Sequence, residues 1–201
     1  MRRYRHELTR KFRSANKTVK PSLVYFGGMK NYKRAWLAVE ILKILPQDEG
    51  INLVVVGEGK ALERMKEMSG IYGLDNSITF TGHIPEAELA GIVAGAWANL
   101  HFSVTEGFGY SILEASAAGT PTVALDAPGV SEVVNEFGLG KTVRDPVELP
   151  VALSDVLDDN KSWSKKVRAS ATLFSWDECS EKWECVLSDS LFVKDKDKIG
   201  K

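Results

Sequence analysis

The stretch Ser103-Val-Thr-Glu106-Gly-Phe-Gly109-Tyr-Ser-Ile-Leu-Glu114-Ala-Ser-Ala-Ala-Gly119-Thr-Pro-Thr-Val123 holds the densest information in the chain. It follows an apolar run, residues 97–102, whose composition suits a strand. The carboxylate Glu106 and two glycines, Gly107 and Gly109, precede a helix-like segment that carries a second carboxylate, Glu114. The first N–H groups of a helix lack intrahelical partners and favour anions. Carboxylates beside such a helix start can grip hydroxyl groups. An anionic diphosphate joined to a polyol, as in a nucleotide-sugar, presents both chemistries at once. The spacing of two glutamates alone carries no weight among 27 acidic residues in 201. Its position at a strand–loop–helix junction gives it meaning.

Outward from this stretch, short apolar runs alternate with helix-like segments. Strands are expected at residues 23–26, 53–56, 78–81, 99–102, 122–125 and 141–143. Helices are expected at residues 32–45, 61–72, 86–96, 110–118, 130–137 and 146–157, with Gly, Pro, Asn or Asp at most junctions. The strands are continuously apolar rather than alternating, which implies burial on both faces. The pattern predicts an α/β domain with a doubly wound, Rossmann-like parallel sheet. Residues 160–190 read as two further helices, with Trp163, Phe174, Trp176 and Trp183 as packing groups. The expected division is a basic arm or linker remnant at 1–20, the sheet domain at 21–158, C-terminal helices at 159–192 and a charged, frayed tail at 193–201.

In a doubly wound sheet of order 3-2-1-4-5, ligands bind beyond the carboxyl ends of strands 1 and 4, at the switch point. The loop after strand 1 is Gly27-Gly-Met-Lys30-Asn-Tyr-Lys33-Arg34, and the loop after strand 4 is the glutamate–glycine stretch. Lys30, Lys33 and Arg34 bring positive charge suited to phosphate. A third turn, Gly57-Glu58-Gly59, invites a dinucleotide reading and fails it. That motif needs Gly or Ala where Leu62 stands and an acid ending the next strand, where Thr81 stands.

Five blocks in order resemble the C-terminal, donor-binding half of GT-B-fold retaining glycosyltransferases of family 4, the group 1 glycosyl transferases. They are Tyr25-Phe-Gly-Gly-Met29 with Lys33; Leu53-Val-Val-Val-Gly57-Glu-Gly59; Ile78-Thr-Phe-Thr-Gly82-His-Ile-Pro85; Glu106-Gly-Phe-Gly109 through Glu114-Ala to Gly119-Thr-Pro-Thr-Val123; and Pro128-Gly-Val-Ser-Glu132-Val-Val134. The resemblance implies transfer of a hexose from a UDP- or GDP-linked donor with retention at the anomeric carbon, with no metal or other cofactor required. Glu114 would bind the ribose hydroxyls, and Glu106 with the backbone of Gly107, Phe108 and Gly109 would face the sugar and phosphates. Lys33, beside Gly27 and Gly28, would hold the diphosphate leaving group, which makes Lys33 and Glu106 the expected catalytic pair. The turn Gly82-His83-Ile84 would lie against the base, and Glu132 would support the pocket. Many relatives carry Arg directly after the first glycine; this chain has Gly28, with Lys30 or Arg34 as the available compensation. The resemblance also implies an acceptor-binding half, which residues 1–20 are too few to form.

The 44% hydrophobic and 26% charged content fits an ordinary globular protein. The net charge of -1 hides an asymmetry, because residues 1–20 hold eight Lys/Arg against the single acid Glu7. The arm reads either as linker remnant or as a peripheral contact with anionic lipid. Cys179 and Cys185 lie six apart in a helix-like stretch, on different faces, and no Cys/His cluster has metal-ligand spacing. A cytoplasmic setting is expected, at the inner face of the membrane if the arm binds lipid, with nucleic acid not a partner. Three readings stay open: a donor domain whose acceptor domain is a separate chain or a part of the same protein outside this sequence, a small enzyme closing its cleft by homodimerisation, and a non-catalytic nucleotide-sugar-binding or assembly subunit.

Overall fold

A computed structural model describes residue 12, residues 16–174 and residues 180, 181, 184 and 185. Its elements follow in the order β1 (Ser22–Phe26), α1 (Leu37–Ile44), β2 (Asn52–Val56), α2 (Ala61–Tyr72), β3 (Ile78–Gly82), α3 (Glu86–Gly95), β4 (Ala98–His101), α4 (Tyr110–Ala117), β5 (Thr122–Leu125), β6 (Gly140–Val143), α5 (Leu149–Asp158) and α6 (Asn160–Ala171). The six strands pair in parallel, in the order β3-β2-β1-β4-β5-β6. This is the expected doubly wound sheet of the GT-B C-terminal kind, with β6 added beyond β5.

All five β1 residues are buried, and they alternate between two cores. Leu23 and Tyr25 join a cluster with α1, α2 and α5, whereas Val24 and Phe26 join one with α3 and α4. From Leu23 to Phe26, each β1 side chain therefore meets a helix on one face or the other. Only apolar residues satisfy both faces, which is why the strand runs read as continuous. A third cluster seats α4 residues Ile112 and Leu113 against Val130, Val133, Val134 and Leu139. Helix α6 packs along α4.

Phe12 and Lys17, from the stretch read as an arm, are built into the domain. Phe12 is fully buried against Val24, Phe26 and the alanines of α3 and α4. Lys17 Nζ donates to Ala96 O at 2.5 Å, Gly119 O at 3.0 Å and Thr120 Oγ1 at 2.9 Å. The cation thereby closes the carboxyl ends of α3 and α4, where the helix dipole favours positive charge. Burial lowers its pKa to about 8.

Three expected helices differ in detail. The helix expected at 32–45 is a 3₁₀ turn, Asn31–Lys33, then Arg34 in the left-handed region at φ 46, then α1. Arg34 Nε donates to Phe102 O at 3.0 Å, and that long-range bond holds the break. The helix expected at 146–157 opens as a separate 3₁₀ turn, Pro146–Glu148, because Asp145 and Glu148 cap each other's backbone N–H groups there. The segment expected as a short helix at 130–137 is π-helical over Glu132–Glu136. Its entry is fastened by Glu132 Oε2, which accepts from Gly129 N at 2.6 Å. Of the second C-terminal helix only residues 180, 181, 184 and 185 are described, and they are helical. Trp176, Trp183, Cys179 and the 193–201 tail lie outside the described residues.

Candidate functional site

The sheet itself opens the site. Strand β1 pairs with β2 as far as Phe26↔Val56, but with β4 only as far as Val24↔Asn99. Beyond that point the two central strands part, and a cleft of about 570 Å³ lies over their carboxyl ends. Its size falls within the roughly 300–1,000 Å³ usual for ligand pockets. The expected residues Gly27, Gly28, Lys33, His83, Ile84, Glu106 and Glu114 all line it. Three loops and a helix, separated by up to 87 positions in the chain, thus converge on one crevice.

Lys33 and Glu106 form the polar centre. Lys33 Nζ donates to Glu106 Oε1 at 2.5 Å, and Ser103 Oγ donates to the same oxygen at 2.7 Å. His101 Nε2 lies 3.5 Å from it. The pair is largely shielded, with side-chain exposures of 21% for Lys33 and 14% for Glu106. The facing His101 ring, the bonds from Lys33 and Ser103 and the Lys33 charge hold the Glu106 carboxyl down to about 2, against the opposing pull of burial. At 3.5 Å the imidazole contact is long, so the Lys33 and Ser103 bonds define the geometry. Tyr25, on the floor of the sheet, is pushed above its ordinary range, first by burial and then by the charges of Glu106 and Tyr32.

Backbone contacts fix these side chains in place. Val104 N donates to Tyr32 O at 3.0 Å, which joins the loops after β1 and β4. The 3₁₀ turn carries Lys33, and the break at Arg34 ends that turn before α1 begins. Glu106 N donates to Pro128 O at 3.0 Å, and a Cβ on Gly129 would stand 1.8 Å from Glu106 O. Glu132 therefore supports the site through Gly129 without lining the cleft. On the other side, a Cβ on Gly57 would stand 2.1 Å from Gly27 O, so the loops after β1 and β2 touch backbone to backbone.

Four expected ligand-binding residues do not line the cleft: Gly82, Gly107, Phe108 and Gly109. Gly109 is the left-handed residue before α4, at φ 69. The Phe108 ring turns to Tyr110 and Phe174, with centroids 5.4 and 6.1 Å away. Neither Lys30 nor Arg34 belongs to the wall, and Arg34 is engaged with Phe102, so among the described residues no arginine lines the cleft in place of the one absent at Gly28. Sequence reasoning missed Glu58, Tyr110 and Ser111, which line the cleft, and His101 and Ser103, which stand behind Glu106. Glu58 lies in the glycine turn set aside as a failed dinucleotide motif. The signal for His101 was its polarity inside an apolar strand.

Residues 7–171 match the family described as glycosyl transferases group 1. The chain belongs to the group 1 glycosyl transferases. Similar curated proteins include a glycogen synthase of Mycobacterium tuberculosis strain H37Rv, 30% identical over 151 residues, covering 74% of this chain and 36% of that protein. O-antigen chain mannosyltransferase B of Escherichia coli is 28% identical over 169 residues, covering 78% of this chain and 43% of that protein. Among solved structures, sucrose-phosphate synthase from Thermosynechococcus elongatus superposes with a TM-score of 0.77 at 24% identity, over 92% of this chain and 51% of its own. Anabaena HepE in complex with UDP and glucose gives 0.72 at 21% identity, over 85% and 48%. At these identities the structural likeness speaks for the fold. This glycosyl transferase chain spans less than half the length of those two curated relatives. Among its described residues, no helix is long and apolar enough to cross a membrane.

Proposed function

We propose that the cleft binds a nucleotide-sugar, UDP- or GDP-linked, and that the chain acts as the donor-binding half of a retaining hexosyltransferase. The observation that carries this reading is the convergence of Lys33, Glu106, Glu114 and the Gly27–Gly28 backbone at the switch point. Lys33 is the cation at hand for the diphosphate, and Glu114 on α4 is the carboxylate at hand for the ribose. Glu106, kept ionised, faces the sugar. The transition state of glycosyl transfer builds positive charge on the sugar and negative charge on the departing diphosphate. A fixed lysine and the amino end of α4 stabilise the leaving group without reorganising during the reaction. The reading requires no metal.

Acceptor recognition falls to a second surface, whether a further domain of the same protein, an acceptor-domain partner chain or a second copy. Proximity and orientation supply about 7–11 kcal/mol of barrier reduction in such reactions. The donor half alone therefore binds its ligand, hydrolyses it slowly at most and transfers nothing. The test is a thermal-shift and calorimetric screen with UDP, GDP and ADP and their glucose conjugates, beginning with UDP because the HepE structure holds it. Saturable binding by one base series supports the reading, and no binding by any of them refutes it. Brisk transfer by a monomeric sample refutes the need for a second surface.

A further inference from the structure

We propose that Glu58 reads the base of the donor and makes this cleft selective for guanine, so that the nucleotide-sugar is GDP-linked. The proposal rests on the donor-site reading above and narrows its choice of base. The cleft has two unlike ends. Lys33, Glu106 and Glu114 supply charge on the side of β4 and α4, where the diphosphate and sugar find partners. Phe26, Val56, Ile84 and Leu89 form an apolar wall towards β2 and α3, and all four belong to one packed cluster. The flat, largely apolar part of a nucleotide is its base, so the base matches this second end. Glu58 and His83 are the polar side chains that flank the wall there.

The backbone holds Glu58 in place from both sides. Its carbonyl accepts from Met29 N at 3.0 Å, and Gly57 N beside it donates to Gly82 O at 2.9 Å. A Cβ on Gly82 would stand 4.0 Å from Glu58 Oε1, so the carboxylate lies over the turn that leads into His83 and Ile84. Among the described residues no hydrogen bond or ion pair engages that carboxylate. A carboxylate accepts hydrogen bonds and donates none, and its two oxygens can take two donors side by side. Guanine presents N1–H and the N2 amino group as adjacent donors on one edge. Uracil sets a single N–H between two carbonyl oxygens, and adenine and cytosine each set an amino group beside a bare ring nitrogen. Every edge but that of guanine therefore turns a lone pair towards a Glu58 oxygen, which loses a charge-assisted bond and adds repulsion.

Calorimetric titration of the 201-residue chain with GDP, inosine diphosphate, UDP and ADP tests the assignment. Inosine diphosphate differs from GDP only in lacking the N2 amino group. GDP is expected to bind roughly ten- to a hundredfold more tightly than the other three, the worth of a hydrogen bond to a charged group. Glu58→Gln exchanges one accepting oxygen for a donating amide. Its fit moves from guanine to xanthine, which carries a carbonyl where guanine carries the amino group. The variant should bind GDP about tenfold or more weakly than the unmodified chain, and xanthosine diphosphate more tightly. Inosine diphosphate, UDP or ADP binding the unmodified chain as tightly as GDP overturns the proposal, whether or not the variant folds. GDP affinity unchanged in Glu58→Gln overturns it too, as does an equal loss for all four diphosphates, which would put Glu58 on the ribose or phosphates. A chain that binds none of the nucleotides overturns the donor-site reading itself, a failure visible before any bases are compared.

Discussion

Gly129→Ala tests whether the Glu106 loop is positioned by a backbone contact far from it in sequence. Gly129 has φ 78, and an added Cβ would lie 1.8 Å from Glu106 O and 2.8 Å from its carbonyl carbon, where real Cβ atoms do not approach closer than 3.0 Å. Left-handed backbone costs an alanine about 1–2 kcal/mol. Relieving the overlap adds about 1–3 kcal/mol, the usual cost of overpacking. The neighbouring Pro128 O–Glu106 N bond couples the two loops, so the strain displaces the Glu106 backbone rather than dissipating at Gly129. A shift of about an ångström removes the carboxylate from Lys33 and Ser103, and misplacements of that order cost up to about a hundredfold in function.

At about 3 °C per kcal/mol for a chain of this size, the combined 2–5 kcal/mol corresponds to a melting-temperature loss of about 6–15 °C. Scanning fluorimetry measures it, and calorimetry with the cognate nucleotide-sugar should show affinity reduced about ten- to a hundredfold. Gly28→Ala is the control, since its Cβ would meet nothing within 4 Å. Its melting temperature should match the unmodified chain. The reasoning fails if Gly129→Ala melts within about 2 °C of the unmodified chain, a shift worth less than about 1 kcal/mol, and binds donor normally.

Lys33→Ala should weaken nucleoside diphosphate binding roughly ten- to a hundredfold, the value of a charged hydrogen bond of about 1.5–3 kcal/mol; unchanged affinity by calorimetry rejects the assignment. Glu114→Ala should weaken free nucleoside diphosphate as much as the full donor, whereas Glu106→Ala should spare the diphosphate and damage sugar-dependent binding or transfer. Equal losses of nucleoside diphosphate in both would show that the two carboxylates do not divide the roles. Lys17→Met should lower the melting temperature by roughly 2–12 °C, because stranding its carbonyl partners costs about 1–3 kcal/mol; an unaltered melting curve would mean water replaces the cation freely. Glu106, at about 2 in the fold against an ordinary 4.5, contributes stability that is complete above 4.5 and lost as pH falls towards 2. The stability difference between the unmodified chain and Glu106→Gln should therefore shrink on acidification through that window, and a difference independent of pH would contradict it.

The order and direction of the strands were legible because the central strands β1, β4 and β5 are buried throughout. Leu23 and Val24 meet opposite cores, and both positions must be apolar. The switch point was equally legible, since its location follows from topology and the two charged glycine loops mark it. Local features governed by distant contacts were not. The left-handed Arg34 depends on a carbonyl 68 positions away, and nothing between residues 32 and 45 interrupts a helical pattern. Phe12 looked like part of a basic arm because its core partners come from β1, α3 and α4.

The chemistry divides along the same line. Residue types announced Lys33 and Glu106 as separate ligands for phosphate and sugar, but only the fold brings them together as partners at 2.5 Å. That contact changes what nucleotide affinity measures. A diphosphate arriving at Lys33 gains one charged bond and weakens another, so its net gain is the difference between the two. Glu106 stays ionised because Lys33, Ser103 and the His101 ring surround it, and each remaining group matters more once the lysine turns to the ligand. Ser103 can offer a hydrogen bond and no charge. His101 Nε2 faces the same oxygen from 3.5 Å. On the donor-site reading, Lys33 therefore serves as a phosphate ligand only by giving up part of its pairing with Glu106, and Ser103 and His101 remain to face the carboxylate when it does.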